Sequence, residues 1–78
     1  MLTDKVLLEK LRGLRNKLAD EQNCRRFVIM HNSTLSLLAT ERPITREEFL
    51  KIRGLGLRKY EQYGEAFINA IKEHLGNH

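Results

Sequence analysis

Two apolar stripes at helical spacing, one near each end, constrain this chain most. Leu7, Leu11, Leu14 and Leu18 recur at steps of four, three and four, and Tyr60, Tyr63, Phe67, Ile71 and Leu75 recur at steps of three and four. Such spacing places each set on one face of an α-helix. The first stripe predicts a helix from about Asp4, a good N-cap, to Gln22. The second predicts a long final helix after Gly56, reinforced by Ile68 and closed by Gly76. With only 78 residues and a single cysteine, Cys24, no internal disulfide can staple the fold, so it must rest on compact helix packing.

Shorter elements lie between the stripes. Phe27-Val28-Ile29-Met30 is an apolar run introduced by Arg25 and Arg26, too short for its period to decide between one helical turn and a strand-like plug. Asn32 is a candidate N-cap for a helix through Leu35, Leu37 and Leu38 to about Glu41, where Pro43 stops it. Thr45 and Glu48 have capping-box spacing, with Ile44 and Phe49 placed as a hydrophobic staple, and this helix runs to Gly54. Gly13 suggests a close helix crossing, and Gly64 a bend or an inserted neighbour. The expectation is an all-α, compact five- or six-helix bundle over residues 4–75, with 1–3 and 76–78 as flexible ends. No internal repeat or low-complexity tract interrupts it.

Charge and residue chemistry exclude several functions. Fourteen Lys and Arg against ten Asp and Glu give a formal charge of +4. From Met1 to Met30 there are seven basic and four acidic residues, whereas from Leu55 to His78 there are three of each. Such an excess suits a polyanion partner without requiring one. No apolar run reaches the roughly 20 residues of a membrane span, and no signal peptide is legible, so a cytoplasmic protein with no membrane partner is expected. Cys24 fits a half-buried apolar position in a reducing compartment. His31, His74 and His78 do not form a metal motif, since Gly76 separates the last two. Glu47 and Glu48 diverge by about 100° on a helix, so they are no acid/base pair. Ser33, Ser36 and Cys24 lack a base at motif spacing, and no Walker, zincin or Rossmann pattern occurs. A non-catalytic domain needing no cofactor and no metal follows.

Two clusters are candidate anion sites. In Ile52-Arg53-Gly54-Leu55-Gly56-Leu57-Arg58-Lys59, two glycines and a basic pair sit at a helix–helix joint. There the amides at Gly54 and Gly56, with Arg58 and Lys59, could receive a phosphate. The same residues could equally be punctuation, with Gly54 ending a helix, Leu55 entering the core and Gly56 allowing tight packing. The second cluster is Arg25-Arg26-Phe27, two charges beside a ring that can stack on a base if exposed and is core if buried. Lys10, Arg12 and Lys17 flank the first stripe and could extend either track, although a snorkelling border is the simpler reading. Arg15 lies near the apolar edge.

The order of these motifs resembles the HRDC domain, the helical module of RecQ-type helicases and ribonuclease D. The resemblance is carried by the segment 8–23, by Phe27-Val28-Ile29-Met30, Thr34-Leu35, Arg42-Pro43, the segment 52–59, and Tyr63-Gly64-Glu65-Ala66-Phe67. It is closest to the RecQ version. The resemblance implies an accessory module, monomeric in isolation, of a parent ATP-dependent DNA helicase acting in DNA repair and recombination. It implies weak binding of single-stranded or structured DNA, and the two clusters place that binding on Arg25, Arg26, Phe27, Gly54, Gly56, Arg58 and Lys59, with Lys10, Arg12 and Lys17 as extensions. Docking on other domains of the parent helicase is one alternative. RNA binding beside a ribonuclease D-like exonuclease is another, disfavoured because those versions tend to carry tryptophan here. Family members often have a proline pair and then an aromatic, commonly tyrosine, where this chain has Arg25-Arg26-Phe27. The turn therefore loses rigidity and a hydroxyl and gains two charges.

Overall fold

The first stripe forms helix α1 (Lys5–Glu21) in the computed structural model, which describes residues 2–76. Met1, Asn77 and His78 lie outside the described residues. The Asp4 Oδ1 accepts from the Leu7 N–H at 3.0 Å and caps the helix. Its sealed seam is Leu7, Leu11, Arg15 and Ala19, while Leu14 and Leu18 are half-buried at its edge. The seam thus runs at steps of four and contains an arginine. Asn23, at φ 54°, then turns the chain so that the Cys24 N–H reaches the Ala19 carbonyl at 3.0 Å.

The apolar run is a single helical turn, α2 (Arg26–Ile29). Burial decides its geometry, because Ile29 and Met30 are sealed in the core while Phe27 and Val28 remain 54% and 48% exposed. Helix α3 (Asn32–Glu41) follows, with His31 instead of Asn32 at the cap position. Asn32 is already helical, and its side chain is engaged elsewhere as an acceptor. The residue before a proline disfavours the right-handed helix, and Arg42 leaves it at φ 51° ahead of the buried Pro43.

Helix α4 (Arg46–Leu50) opens at Thr45, whose hydroxyl accepts from the Glu48 N–H at 3.2 Å. Such a cap contributes about 1 kcal/mol. Glu48 returns the bond to the Ile44 N–H, one residue earlier than a capping box would, and Ile44 stays 39% exposed. The helix stops at Leu50, short of the expected Gly54. Gly54 sits at φ +92°, where an L side chain is strained, and a Cβ there would lie 3.1 Å from the Thr34 hydroxyl. The turn seats Leu55 in the core.

The second stripe becomes one continuous helical body of α5 (Leu57–Lys59), a π-helical segment (Tyr60–Gly64) and α6 (Glu65–Gly76). A Cβ on Gly64 would run into the Tyr60 ring, so the absent side chain admits that ring, which meets Phe49 edge-on at 5.8 Å. Nothing lies within 4 Å of a Cβ built on Gly13 or Gly56, so neither marks the close approach expected. Helix α1 packs on α2, α3 and α6. Phe49, Phe67, Leu7, Leu11, Ile29, Leu35, Leu38 and Ile71 are fully buried in the core. Each such side chain contributes about 1.5–3 kcal/mol through burial. The described residues form five helical bodies and no strand, the expected all-α architecture.

Candidate nucleic-acid interface

Arg15 organises one corner of the molecule. Its side chain is 5% exposed on the buried seam of α1, and its guanidinium reaches across to the α2–α3 connection. Nη1 donates to the Met30 carbonyl at 3.1 Å and to the Asn32 Oδ1 at 2.6 Å, while Nε donates to the Asn16 Oδ1 at 3.1 Å. Every one of these acceptors is neutral. Burial pushes the Arg15 pKa down from its ordinary value, and repulsion from Arg12 and then Arg26 adds to it. The guanidinium stays charged at any physiological pH.

A shallow depression of about 580 Å³ opens beside this group. Arg15 lies in its wall with Arg25 and Arg26, and Asp20 is the single carboxylate among the described residues that line it. Phe27, Cys24, His31 and Asn32 complete it. The Phe27 and His31 rings are stacked, 6.1 Å apart and 24° from parallel. The depression therefore joins a buried cation, two exposed cations and an aromatic shelf. Arg15, His31 and Asn32 were not among the residues expected to bind. The legible signal for Arg15 was its place four residues from both Leu11 and Ala19, on the seam itself.

The glycine joint lies within side-chain reach of this corner. Lys59 Nζ donates to the Val28 and Ile29 carbonyls, at 2.7 and 2.8 Å, so the ammonium satisfies carbonyls at the end of α2. It also sits 5.5 Å from the centre of the Tyr63 ring, whose hydroxyl donates to Gln22 at 3.0 Å. Lys59 thus holds α2 in place, whereas Arg58 is exposed without a side-chain partner among the described residues.

The remaining basic residues divide. Arg12 pairs with Glu9 at 2.9 Å on the surface and still acts electrostatically on Arg15. Lys17 is exposed. Lys10 belongs to a different corner, where its Nζ lies 3.2 Å from Nδ1 of His74 and His74 Nε2 lies 2.9 Å from Asp4 Oδ2. An ammonium only donates, so Nδ1 accepts and Nε2–H donates to Asp4. The Leu7 N–H, and next His74, hold the Asp4 carboxyl below its ordinary value.

A family model described as the HRDC domain matches residues 4–71, most of the chain. The chain belongs to the HRDC domain family. Two relatives of this HRDC domain are ATP-dependent DNA helicases RecQ. The Pasteurella multocida protein is 35% identical over 71 residues and the Haemophilus influenzae protein 37%. Each alignment covers 91% of this chain but only 11% and 12% of the helicases, so the domain spans about a tenth of the length of those relatives. A solved structure, D. radiodurans RecQ HRDC domain 3, superposes with a TM-score of 0.85 at 40% identity, covering 88% of this chain and 91% of that one. HRDC domains are small accessory modules, with the catalytic regions of such helicases lying elsewhere. Among the described residues no helix is long and apolar enough to cross a membrane, and no cluster of His, Cys, Asp and Glu could hold a metal ion.

Proposed function

We propose that this HRDC domain is an accessory nucleic-acid-binding module of a RecQ-like DNA helicase, holding single-stranded or structured DNA weakly and with little sequence preference. The observation that carries this reading is the Arg15 corner, where Arg15, Arg25 and Arg26 line one depression beside the half-exposed Phe27 ring. Arg25 and Arg26 take backbone phosphates, and Phe27 stacks on a base. Arg58 extends the site across the glycine joint. Gly54 contributes through architecture, at φ +92°, and Lys59 through its hold on α2. Its relatives' helicase activity supports a parent of the same kind, working in DNA repair and recombination.

A salt titration of single-strand affinity tests this. Each phosphate contact contributes a log–log slope of about −0.7, so a slope near −2 is expected. Phe27→Ala should weaken binding by about 1 kcal/mol with the slope unchanged. Absence of binding at low salt would leave the module a protein-docking surface, for which exposed Phe27 and Val28 are the natural anchors.

A further inference from the structure

The Arg15 guanidinium has a feature that backbone binding does not use. Nε and Nη1 are engaged, but Nη2, which carries two further N–H donors, has no protein partner among the described residues. Among the described residues no buried side-chain nitrogen or oxygen lacks a partner. Nη2 therefore meets solvent, and the surface Arg15 lines is the depression. Arg15 is 5% exposed, and three acceptors fix its guanidinium in one orientation. Arg25 and Arg26 line the same hollow.

Three arginines lining one hollow suit a compact ligand of high charge. An internal phosphodiester carries one negative charge, whereas a phosphate monoester carries about −1.5 to −2 at pH 7 and three acceptor oxygens. The repulsion that Arg12 and Arg26 exert on Arg15 is relieved most by the second. The stacked Phe27 and His31 rings stand in the same lining, where the base of the same nucleotide could rest.

We propose that this depression receives a terminal phosphate monoester, so that the domain prefers a phosphorylated strand end to the interior of a strand. The proposal rests in part on the DNA-binding reading, and the experiment separates them. Fluorescence anisotropy would compare one short oligonucleotide sequence bearing a 5′-phosphate, a 3′-phosphate, or hydroxyls at both ends. One phosphorylated form should bind about fivefold to tenfold tighter than the unphosphorylated one. Arg26→Gln, at an exposed position, should erase most of that preference without lowering Tm; Arg15→Gln should erase it too if the variant folds. Inorganic phosphate, followed by NMR, should shift the Arg15 side-chain, Phe27, His31 and Asn32 signals. Equal affinity for all three oligonucleotides overturns the proposal and leaves DNA binding intact. Phosphate-induced shifts at Arg15 without oligonucleotide binding support the pocket and defeat the DNA reading. Neither effect defeats both.

Discussion

Two corners of this domain each centre on a polar side chain 5% exposed, Arg15 at one and His74 at the other. They are solved differently. His74 joins a carboxylate and an ammonium from the other end of the chain, so opposite charges meet and the N-terminal cap of α1 is tied to α6. Arg15 is held by neutral acceptors and faces like charge from Arg12 and Arg26. A buried charge is tolerated when it is hydrogen-bonded, but leaving it without a counter-charge creates a standing attraction for an anion. The contrast separates a latch that closes the bundle from the corner proposed as the binding site.

The contrast breaks most visibly in stability. His74→Ala should cost about 2 kcal/mol through the cavity and lost hydrogen bonds, and lower Tm by about 10 °C. Affinity of the folded fraction for single strands should be unchanged, and a loss there would dissolve the distinction. Arg25→Ala with Arg26→Ala should do the reverse. Both residues are exposed, so Tm should hold in calorimetry while affinity falls about tenfold and the salt slope flattens by about 1.4.

Lys59→Met should have a smaller effect. Removing the ammonium frees the α2 carbonyls, so α2 amides should exchange faster with solvent and affinity should fall about threefold with the slope unchanged. A slope reduced by about 0.7 would instead make Lys59 a phosphate ligand. The smallest effect belongs to pH. The Asp4 pKa is lowered in the fold from its ordinary 3.8, so its stabilisation is fully present above that value and is lost as pH falls through the lowered one. Comparing Tm of the native domain and Asp4→Asn should show a gap near neutrality that closes in acid.

Much of the fold was legible because long helices repeat their signal. The stripes, Asp4, Pro43 and Thr45 each named a boundary that the structure has. The inner face of α1 was harder, since a basic residue beside leucines reads as a snorkelling border, and only the step of four from Leu11 betrays Arg15 as interior. Asn32 looked like a cap because its type suits one, yet the guanidinium claims its oxygen. A four-residue helix has no usable period, so Phe27 could be placed outside only once Ile29 and Met30 were seen to fill the core. Gly64 signalled an inserted neighbour, but that the neighbour is Tyr60, in a π-helical segment, was not legible. Arg25, Arg26 and Phe27 were legible as a cluster; their union with Arg15 and His31 is tertiary.

Chemical-shift mapping with a short single-stranded oligonucleotide tests the division between the corners most directly. Shifts are expected to concentrate at Arg26, Phe27, His31 and Asn32 and at the Arg15 side chain, leaving Lys10 and His74 still. Shifts centred on Lys10 and His74, or confined to Gly54, Gly56 and Arg58, would contradict the account.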